Sequence, residues 1–239
     1  MRILITNDDG IGAEGIRVLA KWARKLGDVT VAAPKVEQSA KSQSIILRVP
    51  FEVKKSDVFA DLGVTAYGVG STPADCVRFA VDRLGTFDLV FSGINRGLNI
   101  GYDVSYSGTC AAAFEANYAK IPAVAFSTVP DGFSHAEAAL DTVWEYFEKN
   151  KLLKKCDIYN VNIPEDPRGI IMTRQGGAYF RDHFVDCGDD TVVTSTVVAS
   201  KKGDTDDLHY DTEAVFNGYV SITPMTVDHT NFNVLNKMI

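Results

Sequence analysis

Arg2-Ile3-Leu4-Ile5-Thr6-Asn7-Asp8-Asp9-Gly10-Ile11-Gly12 carries, in order, a short apolar run, two adjacent carboxylates and a glycine-bearing turn. From Ala13 the pattern changes, with Ile16, Leu19, Ala20, Ala23 and Leu26 recurring at helical spacing. The acidic pair therefore lies on a strand-to-helix turn. In open parallel sheets such turns, at the carboxyl ends of strands, build the crevice where ligands bind. Two ionised carboxylates side by side repel, and holding both in a partly desolvated crevice is costly unless a cation or hydrogen-bond donors compensate. A hard divalent metal ion is the simplest compensation. A solvated Asp-Asp-Gly turn with one Asp capping the helix is the competing reading, so the other loops decide.

The same stretch contains Gly10-Ile11-Gly12-Ala13-Glu14-Gly15, a nominal G-x-G-x-x-G dinucleotide fingerprint. Two features argue against it. The residues entering the turn are anionic and would face a pyrophosphate directly, whereas the fingerprint relies on bare amides and the helix dipole. The second predicted strand, Asp28 to Pro34, also ends without the acidic residue that holds a ribose hydroxyl.

The chain has 239 residues, 46% hydrophobic and 23% charged, which suits one α/β core with an appendage. A formal net charge of -7 disfavours binding to a nucleic acid duplex through its backbone, while leaving room for a small phosphorylated ligand held through a metal. No apolar run approaches the ~20 residues that span a bilayer, and the N-terminus has no basic region followed by an apolar signal segment. The expectation is a cytoplasmic protein with no membrane partner. Cys76, Cys110, Cys156 and Cys187 lack Cys-x-x-Cys spacing, so reduced structural thiols are expected. The four histidines form no metal-binding motif.

Several further loops carry chemistry. Lys35 to Ser44 is polar and follows a strand end, which places Ser39 on the acidic rim as a neutral oxygen ligand. Ile45 to Lys55, with Pro50, suits an edge hairpin. Thr72 and Pro73 read as N-cap and first position of a helix with Val77, Ala80, Val81 and Leu84 inward. Asp88 to Ser92 is a buried strand running into Gly93-Ile94-Asn95-Arg96-Gly97-Leu98-Asn99-Ile100-Gly101, where Asn95 can coordinate a metal or hold a phosphate oxygen. Tolerance of left-handed turns is the alternative role for those asparagines. Ser107-Gly108-Thr109 opens a helix and offers hydroxyls and free amides to a phosphate, or an ordinary N-cap. Tyr102 and Tyr106 suit either base stacking or core packing.

Asp8 and Asp9, Ser39 and Asn95 thus converge by the same carboxyl-end rule. Two carboxylates, a hydroxyl and an amide oxygen form an all-oxygen ligand set, suited to Mg²⁺, Mn²⁺ or Ca²⁺ rather than zinc or copper. Asn7-Asp8-Asp9-Gly10, Pro34 with Ser39, Gly70 with Thr72-Pro73-Ala74-Asp75-Cys76-Val77, Ser92-Gly93-Ile94-Asn95 with Gly97, Asn99 and Gly101, and Tyr106-Ser107-Gly108-Thr109 together closely resemble the survival protein SurE family of nucleotidases. Gly218 to Pro224 extends the match towards the end. The resemblance implies a Rossmann-like, mostly parallel sheet flanked by helices, and dimers or tetramers built by exchanged C-terminal elements. It implies divalent-metal-dependent hydrolysis of nucleoside 5'- and 3'-monophosphates, extending to short polyphosphate, with metal-bound water as nucleophile. By position Asp8, Asp9, Ser39 and Asn95 take the family's metal-ligand roles, with Asp8, Asp9 and Asn95 catalytic, and Asn95, Ser107, Gly108 and Thr109 take the phosphate side.

The chain departs from the family pattern at Ala40 and Ala116, each commonly glycine, and at Ile46, commonly threonine. These changes bear on substrate preference and on the Ser39 loop. A catalytic core over residues 1–165 and a β-rich oligomerisation arm over 166–239 are expected, with strands at Ile170 to Thr173, Tyr179 to Val185, Val192 to Ala199 and Tyr219 to Met225. Two other classes remain: a phosphoaspartate phosphatase, which normally spaces its carboxylates Asp-x-Asp, and a non-enzymatic receiver-like Mg²⁺ module, which is about half this length.

Overall fold

A computed structural model describes residues 1–178, 180–198 and 206–238. The expected strands at 179–185 and 192–199 therefore begin or end on residues outside that description, at Tyr179 and Ala199. The first half runs β1 (Arg2–Thr6), α1 (Glu14–Ala23), β2 (Asp28–Pro34), β3 (Val53–Ser56), β4 (Thr65–Val69), α2 (Pro73–Arg83), β5 (Leu89–Arg96) and α3 (Gly108–Tyr118). It continues through β6 (Ala123–Thr128), α4 (Phe133–Asn150), β7 (Ile158–Ile163) and β8 (Ile170–Met172). A hairpin of β9 (Phe180–Gly188) and β10 (Thr191–Val198) follows, then α5 (Asp211–Phe216), β11 (Val220–Pro224) and α6 (Phe232–Leu235).

Nine strands form one sheet in the order β3-β4-β2-β1-β5-β6-β7-β11-β8. β4, β2, β1, β5, β6 and β7 are mutually parallel, whereas β3 and β11 run against their neighbours β4 and β7. The chain moves outward from β1 to one side and then returns to lay β5 on the other. The point of reversal, between β1 and β5, is where an open α/β sheet leaves a crevice at its carboxyl edge.

Each face of the sheet has its own core. α1 and α4 cover one face, over Ile3, Ile5, Phe91 and Phe126, and α2 and α3 cover the other, over Leu4, Val90 and Ala123. Ile16, Leu19, Ala20 and Ala23 are all fully buried, as the helical spacing from Ala13 predicts. Trp22 packs its ring 5.6 Å from Phe91 and 6.0 Å from Trp144, and Phe147 lies 5.1 Å from Tyr159. Such edge and tilted contacts add about 1 kcal/mol each beyond burial. Thr72 caps α2, its side chain accepting from the Asp75 amide, with Pro73 in the first turn.

One local expectation is corrected. Residues 45–52 form no strand, and only Val53–Ser56 pairs, as an edge strand against β4. Pro50 and the left-handed Arg48 (φ 61°) keep the preceding stretch irregular. Beyond residue 165, β8 and β11 join the main sheet, while β9 and β10 form a separate two-stranded sheet. Phe184 on that hairpin is 72% exposed.

Candidate active site

Asn7 shapes the turn that carries the acidic pair. Its side-chain amide donates to the Gly10 carbonyl at 2.9 Å, and its Oδ1 accepts the Gly10 N–H at 3.2 Å. Gly10 sits at φ 101°, a conformation that favours glycine. Behind it, α1 meets β5 without a side chain between them: a Cβ on Gly15 would stand 1.9 Å from the Ile94 carbonyl oxygen. The third glycine of the nominal dinucleotide fingerprint thus serves helix–strand contact.

Asp8 is 6% exposed. Its Oδ1 accepts the Thr109 hydroxyl at 2.5 Å, and the Thr109 N–H also donates to the carboxylate. Burial pushes the Asp8 carboxyl up to about 6, a rise that the neighbouring Asp9 reinforces and the Thr109 hydrogen bonds partly offset. Asp9 is half-buried, and its Oδ2 accepts the backbone N–H of Arg96 at 3.0 Å. Burial raises its carboxyl too, with Glu37 adding to the rise. Among the described residues no lysine or arginine side chain forms an ion pair with either. Two desolvated carboxylates, of which Asp9 feels the nearby Arg96 charge without a direct ion pair, favour a bound cation.

The other loops are tied to this pair through backbone groups. The Gln38 N–H donates to the Asp8 carbonyl at 2.7 Å, which fixes the residue next to Ser39. Ser39 is exposed and donates its hydroxyl to Glu37. Ser42 pins the same loop to the turn before α3, its hydroxyl donating to the Ser105 carbonyl at 2.7 Å. Ala40 takes φ 54°, so the alanine stands in the left-handed region where glycine is favoured. Asn95 lies at the end of β5, past the irregularity between Ser92 and Asn95 in its pairing with β6 and past the cis Gly93–Ile94 peptide. Its amide donates to the Gly97 carbonyl at 2.9 Å.

Ser107 caps α3, its Oγ accepting the Cys110 N–H at 3.0 Å. Gly108 lets that helix start close on the acidic pair, since a Cβ there would stand 2.8 Å from the Asp8 Cβ. Thr109 is fully buried and its hydroxyl and amide address Asp8. Tyr102 and Tyr106 are exposed. Sequence reasoning missed Thr109 as a partner of Asp8, Glu37 as the acceptor of the Ser39 hydroxyl, and Arg96, whose amide holds Asp9 while its guanidinium reaches Asp131 at 3.0 Å. A threonine opening a helix and an acid two residues before Ser39 were the available signals.

Asp8 and Asp9 offer carboxylate oxygens, and Ser39 and Asn95 carry neutral ones, while among the described residues no three His, Cys, Asp or Glu side chains gather as a metal group. This chemistry fits a hard divalent cation shared by carboxylates and neutral oxygens. A doubly wound α/β sheet with such a crevice at its point of reversal defines a Rossmann-like protein with an acidic, phosphate-compatible ligand site. The family model for the survival protein SurE matches residues 3–182. A 5'-nucleotidase SurE of Clostridium botulinum (strain 657 / Type Ba4) is 39% identical over 252 residues, covering 99% of this chain and 97% of the relative. Another, from C. botulinum (strain Eklund 17B / Type B), is 36% identical, covering 100% and 98%. The crystal structure of the SurE protein from Aquifex aeolicus matches with a TM-score of 0.81 and 31% identity, covering 100% of this chain and 98% of that one. The chain belongs to the survival protein SurE family.

Proposed function

We propose that this protein is a phosphomonoesterase that hydrolyses nucleoside 5'- and 3'-monophosphates to nucleoside and phosphate, with one divalent cation, Mg²⁺ or Mn²⁺, as cofactor. Ca²⁺ also suits the site, and short polyphosphate is a further substrate. The observation that carries the reading is the desolvated Asp8-Asp9 couple, without a basic ion-pair partner, at the point of sheet reversal and against the start of α3. Relatives named 5'-nucleotidase over nearly the whole chain support it.

Asp8, Asp9, Ser39 and Asn95 would hold the cation, which when bound polarises a phosphoryl oxygen and acidifies a bound water. Ser107 and Gly108 receive the phosphate at the helix start, and the Asn95 side chain supplies a further contact to it. Thr109 keeps the Asp8 carboxylate in one orientation. Asp9 has one oxygen on the Arg96 amide, which leaves Oδ1 to orient the attacking water and take its proton. The arm beyond residue 165 builds a homodimer or homotetramer, and the protein works in the cytoplasm. No helix among the described residues is long and apolar enough to cross a membrane.

The test is phosphate release from a panel of nucleoside 5'- and 3'-monophosphates, with Mg²⁺, with Mn²⁺ and after chelation, on wild type and Asn95→Ala. Expected is release that disappears on chelation and falls about 10²-fold or more in the variant. Release that survives chelation would sink the metal-dependent mechanism.

A further inference from the structure

Between Pro34 at the end of β2 and Val53 at the start of β3, residues 35–52 form no helix or strand. A loop of that length has no ladder of its own, so Ser39 stands where the loop's tethers put it. At the near end the tethers lead to backbone carbonyls: the Gln38 N–H donates to Asp8, and the Ser42 N–H and hydroxyl donate to Tyr106 and Ser105 at 3.0 and 2.7 Å. The far end is held by carboxylates instead. There the Ile46 N–H donates to Asp75 at 2.8 Å, and the Gln43 side chain stands against Glu115, whose charged form it stabilises.

Asp75 is 3% exposed and sits in the first turn of α2. An acid at that position ordinarily serves its own helix, by answering the N-cap amide or the positive end of the dipole. Here its oxygens are engaged elsewhere. Oδ2 accepts the Ser71 hydroxyl at 2.5 Å together with the Ile46 N–H, and Oδ1 accepts from Arg78 at 3.0 Å. Arg78 in turn lies 3.6 Å from Glu115 on α3. One guanidinium thus joins the two carboxylates that grip the loop.

The grip starts from the frame of the acidic crevice. Cys76 and Val77, which follow Asp75, are fully buried, and Val77 shares a core with Leu4 of β1. Pro73 meets α3 where that helix meets the acidic pair, since a Cβ on Gly108 would stand 3.1 Å from the Pro73 Cγ and 2.8 Å from the Asp8 Cβ. We infer that Asp75 is a positioning residue for the divalent cation: without touching the ion, it carries the placement of β1 and α3 across to the Ser39 loop and so sets how well Ser39 completes the ligand set. The inference rests on the metal-dependent reading above and gives a role to a buried carboxylate which that reading leaves unused.

Asp75→Asn and Ile46→Pro test it, singly and together. The first removes the carboxylate, and the second removes the loop's N–H at an exposed residue. Calorimetry of Mn²⁺ binding is expected to show Kd raised about tenfold or more in each single variant with the stoichiometry unchanged. The double variant is expected to bind no more weakly than the worse single one, because both cut the same link. In kinetics the half-saturating Mn²⁺ concentration rises about tenfold, while kcat at saturating Mn²⁺ stays within about threefold of wild type. An unchanged Kd in both single variants, additive losses in the double one, or fewer sites at unchanged Kd, as simple unfolding gives, overturns the positioning role and leaves metal-dependent hydrolysis standing. If Asp75→Asn fails to fold, the Kd of Ile46→Pro decides in the same way. Wild type that binds no Mn²⁺ overturns the inference and the metal-dependent reading together.

Discussion

Asp8 carries a stability cost that depends on pH. Its carboxyl rises from the ordinary 3.8 to about 6 in the fold, which corresponds to ~3 kcal/mol. For an acid raised by folding, the native state holds the proton more tightly, so stability is complete below about pH 4 and is lost as pH climbs through about 6. Asp8→Asn removes that charge and keeps an oxygen to accept from Thr109. In chelator at pH 8 the variant is expected to melt several degrees above wild type, with the gap closing by pH 4, while turnover falls about 10²- to 10³-fold. Thermal scans across that pH range check the sign, and a variant less stable than wild type at pH 8 would refute it. The acidic pair and Asn95 were legible because side chains of unusual chemistry stand at strand ends. The links that tie their loops together were not, since the Gln38 and Arg96 contacts use backbone N–H groups that every residue except proline carries.

At the scale of elements, the glycines of Gly10 to Gly15 face different constraints. Gly15 meets the Ile94 carbonyl, the helix–strand packing that a glycine at this place in a strand-turn-helix unit serves, whereas a Cβ on Gly12 would meet nothing within 4 Å. Gly15→Ala is expected to cost ~3 kcal/mol or more, since backbone would have to shift, and Gly12→Ala to stay within about 0.5 kcal/mol. Urea unfolding of both variants measures the contrast, and equal losses would contradict the contact. Helices were the most legible elements. The caps at Thr72 and Ser107 form as their residue types predict. Strand partners were less so: β8 and β11 are apolar runs whose periodicity states that they pair but not with what, and α5 and the β9–β10 hairpin separate them in sequence.

For the whole molecule, the parallel sheet supplies a stable frame and the hairpin supplies an exposed one. Phe184 and Val192 on β9 and β10 are 72% and 56% exposed, which is a large apolar cost for a lone chain in water. The proposed dimer or tetramer covers that surface. Phe184→Asp together with Val192→Asp is expected to shift sedimentation towards the monomer without changing the fold seen by circular dichroism. A sedimentation profile identical to wild type would remove the hairpin from the assembly.

The contact of Gly15 with Ile94 has one more consequence. It fastens the helix behind the carboxylates to the strand that ends in Asn95 and Arg96, so both banks of the crevice belong to a single wedge. For the hydrolysis proposed above, the exposed Ser39 loop, and not a parting of that wedge, would be what moves when a ligand enters or leaves.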